Sequence, residues 1–279
     1  MAELLKIQGL TICPANAPSR KLVSNVSFSI EPGKTTCVVG ESGSGKSLTA
    51  LSVMSLLSKQ LVRTSGNIIF QGQDLADLSA EDMRKIRGRH IGMIFQEPMT
   101  SLNPVLTIGF QIGEPLIVHL GLKGEALKAK VSVLLEQVGI PAQRANSYPD
   151  ELSGGQRQRV MIAMSIACEP LMLIADEPTT ALDVTVQAQI LSLLDSLKTS
   201  MNMGMMLITH DFGVVADVAD DVVVMFRGEV VEAGSVAQVL DKPKHPYTKA
   251  LLDCVPDADG KKPLRPIDYA WLKNEQVPG

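Results

Sequence analysis

Apolar and polar positions change period several times along the chain, and each change marks an element. Residues 4–12 and 22–30 carry the mixed alternation of antiparallel strands, separated by a turn-rich stretch at residues 13–20. A turn at residues 31–34 leads to Cys37-Val38-Val39, a short apolar strand. The apolar residues Leu48, Leu51 and Met54 then recur at every third position and predict a helix. Residues 66–70 read as a strand and 71–74 as a turn. Residues 79–86 read as a short helix with Ser79 as its cap and Asp82 at the capping-box position, where Asp is a weaker choice than Glu. Residues 90–95 form another apolar strand that ends in Gln96.

From residue 99 to residue 158 the period becomes helical, with Leu127, Val131, Leu134, Leu135 and Val138 on one face, so a helical subdomain interrupts the sheet. Residues 171–175 are uniformly apolar, the mark of a buried parallel strand, and run into Asp176-Glu177-Pro178. Next come a helix with Val186, Ile190, Leu193, Leu194 and Leu197 on one face, a second buried strand at 205–209, and His210 at its end. Residues 221–226 and 229–232 around Arg227-Gly228 predict a closing hairpin, followed by a short helix at 235–240.

With 279 residues, one domain of about 240 residues plus a tail is as compatible with the chain as two domains. A net charge of −4 supplies no basic surplus for a nucleic-acid backbone, so DNA and RNA are disfavoured as main partners. The four cysteines, at 13, 37, 168 and 254, are too scattered for a zinc or iron–sulfur spacing, and no secretory segment is read at the start; a reducing cytosol fits. The longest apolar stretches, 160–164 and 222–226, are far below membrane-spanning length, so the chain is not expected to cross a bilayer by itself. The thirteen methionines cluster in these runs and read as core filler.

The candidate chemistry centres on Gly40-Glu41-Ser42-Gly43-Ser44-Gly45-Lys46-Ser47, between the strand at 37–39 and the following helix. The spacing G-x-x-x-x-G-K-S in strand–loop–helix context is that of a phosphate loop. Its glycines let successive N–H groups turn inward around a phosphate, and the helix aims its positive end at the same charge. Lys46 is placed for the β/γ-phosphates and Ser47 for Mg²⁺. A plain glycine turn has no need of both. Ser153-Gly154-Gly155-Gln156 is an S-x-x-Q capping box whose two glycines expose N–H groups at a helix start; it is either structural or a second anion site. Asp176 is placed to hold the metal through water, and Glu177 to orient or deprotonate an attacking water; the alternative is a solvated acidic loop. Gln96 is an active-site edge or a solvated strand end, and His210 a ligand at the sheet's end or a structural histidine.

With Gln96, residues 152–156, Asp176-Glu177, Asp183 and His210 following the phosphate loop in this order, the chain resembles an ABC-transporter ATPase subunit over roughly residues 4–254. Residues 95–104, 175–183 and 244–252 resemble its peptide/nickel importer branch. The resemblance implies an α/β fold: a P-loop NTPase (RecA-like) core with an antiparallel β subdomain and an inserted α-helical subdomain at about 99–158. The ATPase domain is expected over 1–254, with a tail or linker at 255–279.

It further implies ATP and Mg²⁺ as cofactors and a head-to-tail pairing with a second ATPase domain, identical, paralogous or in the same polypeptide. Ser153, Gly154, Gly155 and Gln156 of each domain then cover the partner's ATP. Gln96 is implied for Mg²⁺ and water, Glu177 as catalytic base, His210 for the γ-phosphate and Asp183 for communication across the dimer. Transmembrane permease subunits are expected to dock near residues 96–103, at the cytoplasmic face of the membrane, with an extracytoplasmic solute-binding protein as an indirect partner. The cargo is then a peptide or a related small solute such as nickel or glutathione. A non-transport ABC ATPase and a catalytically silent partner are the alternatives.

Two features depart from the family's pattern. Residues 13–21 contain no aromatic to stack on adenine, which predicts weak adenine selectivity; Arg20 either lies across the ring or is a solvated charge. The tail holds no cysteine beyond Cys254, so no iron–sulfur cluster is expected. Tyr269 and Trp271 lie between basic residues and prolines of a tail that either docks or is a disordered end.

Overall fold

The computed structural model describes residues 3–96, 101–180 and 182–254. Two sheets organise the chain. Strands β1 (Leu5–Pro14), β2 (Val23–Ile30), β4 (Leu61–Phe70) and β5 (Gln73–Asp74) form an antiparallel sheet in the order β2-β1-β4-β5. Strands β3 (Thr35–Val39), β6 (Ile91–Ile94), β7 (Met172–Asp176), β8 (Gly204–Thr209), β9 (Asp221–Phe226) and β10 (Glu229–Ser235) form the second, in the order β10-β9-β3-β8-β7-β6. In it β3 pairs in parallel with both β8 and β9, and β7 with β6 and β8; only the β9–β10 hairpin is antiparallel among the described residues.

Burial on both faces explains the uninterrupted apolar runs of this sheet. Along β3, β7, β8 and β9 alternate residues enter two different cores. Cys37, Val39, Leu173, Ala175, Leu207 and Val224 pack toward the helices inserted between β6 and β7. Val38, Ile174, Ile208 and Val223 pack toward the antiparallel sheet and the helix Lys46–Val53. Burial also governs the cysteines: desolvation pushes the Cys37 thiol up to about 12.

The inserted segment contains the helices Ile108–Leu120 and Gly124–Gln137 and leads into Gly154–Ile166. Val131, Leu134, Leu135 and Val138 are buried and Leu127 packs beside them, as the helical spacing requires. Ser79 caps the helix Ala80–Ile86, accepting from the Asp82 N–H at 3.1 Å. The shorter Asp82 carboxylate instead accepts the Ser79 hydroxyl at 2.7 Å, which is why it makes no reciprocal backbone bond of the kind Glu supplies.

Three differences from the sequence pattern are informative. Strand β4 begins at Leu61, not 66: Leu61 and Val62 are followed by the polar Arg63-Thr64-Ser65, which break the apolar alternation, and this half is held by its pairing with β1. Leu171 is 40% exposed and precedes β7. On the helix Lys46–Val53 the buried face is Thr49, Ala50 and Val53, while Leu48 and Leu51 only pack at its margin. No described helix is long and apolar enough to cross a membrane. The tail at 255–279, and the 97–100 part of the motif at 95–104, lie outside the described residues.

Candidate functional site

β3 ends at Val39, in the middle of the six-stranded sheet, and the chain must turn there into a helix through a crowded gap. At Gly40, with φ 147°, a Cβ would stand 2.1 Å from the Met225 carbonyl oxygen, so only glycine passes. Gly45, at φ 101°, is the left-handed N-cap of the helix Lys46–Val53 and provides no side-chain cap, which leaves the helix's first N–H groups facing the loop. Lys46 is 4% exposed, and its Nζ donates to the carbonyls of Gly40 and Glu41, both at 2.8 Å. Burial holds its pKa below the usual lysine value, against the pull of Glu177, Asp176 and Glu41. A buried ammonium beside a helix start without a side-chain cap suits a polyanion.

The ends of the neighbouring strands converge on this loop. Asp176, the last residue of β7, is 5% exposed and accepts the Ser47 hydroxyl at 3.0 Å. Burial raises its pKa, the Ser47 bond opposes that, and Glu177 adds to the rise. A hydroxyl and a desolvated carboxylate at this distance are oxygen donors that a hard divalent cation prefers. Among the described residues no group of three or more His, Cys, Asp and Glu could hold a metal ion.

Glu177 follows with φ 46°, a conformation that costs an ordinary residue about 1 kcal/mol or more. Its N–H donates to the Ile208 carbonyl at 3.0 Å, which fixes the turn against β8. Its Oε2 accepts from Gln96 Nε2 at 3.1 Å and from the Thr180 hydroxyl at 2.9 Å, and His210 Nδ1 lies 3.6 Å away. Thus Gln96, Glu177 and His210, separated by up to 114 positions in the chain, meet at one carboxylate oxygen. Beside them a cavity of about 140 Å³ is lined by Glu177, Thr180, Gln187 and His210 among others. Thr180 was not marked by the sequence; a hydroxyl three residues past an acid has no recognisable local signal.

The remaining motif residues form a second group. Ser153 caps the helix Gly154–Ile166: its Oγ accepts from the Gln156 N–H at 3.3 Å while Gln156 Oε1 accepts from the Ser153 N–H at 3.1 Å. A Cβ on Gly155 would stand 2.7 Å from Val186 Cγ1, and one on Gly154 3.6 Å from Leu182 Cδ2. Asp183 caps the helix Val184–Met201, accepting from the Val186 N–H at 3.0 Å. The glycine turn and the Asp183 cap are therefore packed together. The cavities beside Glu177 and beside Glu41-Ser42-Gly43-Ser44 are lined by other residues, among those described. Arg20 is exposed in the turn between β1 and β2.

A phosphate loop at a central strand's end, with a buried carboxylate beside its serine and a following glutamate that accepts two side-chain hydrogen bonds, defines a nucleoside-triphosphate-hydrolysing ATPase of the P-loop α/β class. Residues 23–180 match the family model described as ABC transporter, and residues 231–277 match that of the oligopeptide/dipeptide transporter C-terminal region. A peptide import ATP-binding protein of Brucella melitensis is 54% identical over 263 residues, 91% of this chain and 78% of that protein. The glutathione import ATP-binding protein GsiA of Escherichia coli O1:K1 is 51% identical over 254 residues, 87% of this chain but 40% of that protein.

Among solved structures, the post-hydrolysis dimer of the ATP-binding cassette MJ0796, bound to ADP and Pi, superposes with a TM-score of 0.74 at 29% identity, covering 83% of this chain and 98% of that one. For cbiO1 of Clostridium perfringens, part of the ABC transporter complex cbiONQ, the TM-score is 0.76 at 26% identity, over 87% and 92% of the two chains. The chain belongs to the ABC transporter ATP-binding family: it is an ATPase subunit that uses ATP and Mg²⁺.

Proposed function

We propose that this chain hydrolyses MgATP to energise import of peptides or related small solutes, glutathione among them, through permease subunits at the cytoplasmic face of a membrane. The observation that carries the catalytic part is the convergence of Gln96, Thr180 and His210 on Glu177 Oε2. A carboxylate held by two donors and flanked by an imidazole is positioned to orient a water molecule and take its proton, and His210 is placed to meet the charge on the transferred phosphoryl group. Lys46 and the N–H groups of 43–47 hold the phosphates, and Ser47 and Asp176 would hold Mg²⁺, with Gln96 at its edge. The ion, when bound, supplies charge neutralisation on the phosphate oxygens.

The Ser153–Gln156 turn lies apart from the phosphate loop's own cavity walls, which supports its action on a second copy's nucleotide, as in a head-to-tail dimer. Asp183 stands between Leu182 and Val186, which face that turn's glycines, and caps the helix Val184–Met201; it is our candidate for communication between the two sites. For the permease we favour the apolar hollow of about 260 Å³ lined by Leu56, Met93, Phe95, Ser101, Pro115 and Met164, between the strand β6 and the inserted helices. We retain 1–254 as the ATPase domain and 255–279 as a tail.

Glu177→Gln tests the reading. Turnover is expected to fall by about 10²–10⁴-fold with MgATP binding retained, and MgATP is expected to trap the variant as a dimer in size-exclusion chromatography with light scattering. Unchanged turnover would remove Glu177 as the base, and a monomer at saturating MgATP would remove the shared site.

A further inference from the structure

Tyr247, on the helix Pro246–Asp253, is fully buried, and its hydroxyl ends at the phosphate loop. The Glu41 N–H donates to Tyr247 Oη at 3.0 Å, across 206 positions of sequence. The carbonyl of that same peptide unit, Gly40 O, accepts from Lys46 Nζ at 2.8 Å. The Gly40–Glu41 peptide is thus held at both edges, by the C-terminal region on one side and by the phosphate-binding lysine on the other.

The surroundings are built to keep Tyr247 there. Its ring packs on Phe226 with centroids 4.2 Å apart and planes at 38°, and Phe226 follows Met225, whose carbonyl crowds Gly40. On β10, Glu232 accepts from the N–H groups of Lys244 at 2.7 Å and His245 at 3.0 Å in the turn that precedes the helix, and His245 Nδ1 accepts from the Tyr247 N–H at 3.1 Å. Glu232, Lys244, His245 and Tyr247 lie within the stretch that matches the transporter C-terminal region, and Phe226 lies on β9 just before it. Filling the core needs only a ring at this position. The hydroxyl serves the loop.

We propose that Tyr247 is a positioning residue for nucleotide binding: its hydroxyl fixes the plane of the Gly40–Glu41 peptide and thereby the aim of Lys46, which makes the C-terminal region a structural part of the nucleotide site. This rests on Lys46 acting on the phosphates. Without the hydroxyl, the Glu41 N–H loses this acceptor, and the peptide whose carbonyl steers Lys46 is no longer held from the side of the C-terminal region.

Tyr247→Phe in the full chain isolates the hydroxyl. Equilibrium binding of ATP and ADP, with and without magnesium, is expected to weaken about 5–10-fold, and KM to rise in step with kcat nearly unchanged. The melting temperature of the nucleotide-free variant is expected to stay close to the parent's, while amide hydrogen exchange in a peptide covering 38–46 quickens. Parental affinity and exchange in Tyr247→Phe would overturn the proposal, as would a lowered melting temperature with unchanged affinity, the behaviour of a core residue alone. Lys46→Ala is measured beside it: if that variant keeps its affinity, the phosphate-loop reading itself fails, whereas its loss together with parental Tyr247→Phe binding sinks only the role of Tyr247.

Discussion

At the scale of single residues the site is a set of buried charges waiting for counter-charges. Lys46 is almost fully buried and its ammonium is stabilised by two carbonyls, so a phosphate is its natural partner; Lys46→Ala is expected to weaken nucleotide binding by about 100-fold in an equilibrium titration. Asp176 presents the opposite case. Its folded-state pKa is raised by burial, so between the unfolded and the raised value the native state binds the extra proton. The metal-free protein therefore gains stability as pH falls through the raised pKa and carries a desolvation penalty at neutral pH. Asp176→Asn keeps the acceptor for Ser47 and removes that penalty: the nucleotide-free melting temperature at pH 7 is expected to stay level or rise, while magnesium-dependent turnover is lost. A clear fall in melting temperature would show that the carboxylate is stabilising without metal.

At the scale of elements, the decisive contact is between two helix starts. The capped turn at Ser153 lies against the Asp183 cap so closely that a methyl on Gly155 would collide with Val186 at 2.7 Å. Gly155→Ala must push the helix Val184–Met201 aside or rotate the glycine turn. The phosphate loop is untouched by either movement. Nucleotide affinity of the single subunit is accordingly expected to stay within about twofold of the parent, while ATP turnover and nucleotide-dependent dimerisation fall about 10-fold or more. Both readouts come from one preparation, by equilibrium binding and steady-state kinetics, and a loss of affinity equal to the loss of turnover would contradict the division of labour between the two motifs.

At the scale of the whole molecule, the fold gathers phosphate-binding, acidic and histidine-bearing strand ends at one edge of a sheet buried on both faces. We propose that base recognition falls to the antiparallel sheet's β1–β2 turn, where Arg20 is exposed and residues 13–21 contain no aromatic. The loss of a stack worth about 1–3 kcal/mol leads us to expect ATP and GTP affinities within about 10-fold of each other in competition binding. A strong ATP preference would mean that another group, such as Arg227 beside the Glu41–Ser44 cavity, reads the base.

The sequence by itself determined the elements whose signal is local: the phosphate loop, with its glycine spacing, and the buried strands, with continuous apolar runs that only two-sided burial demands. It also determined the capped helix starts at Ser79 and Ser153, because a cap is an interaction over three residues. The first half of β4 was illegible, since Arg63-Thr64-Ser65 interrupt the apolar alternation after Leu61 and Val62 and the strand there is specified by its pairing partner β1. Tertiary structure alone decided that Gln96, Thr180 and His210 share one oxygen of Glu177 and that Tyr247 reaches Glu41, because such contacts depend on which strands end side by side. Strand order is set by the packing of the entire sheet, and no local period encodes it.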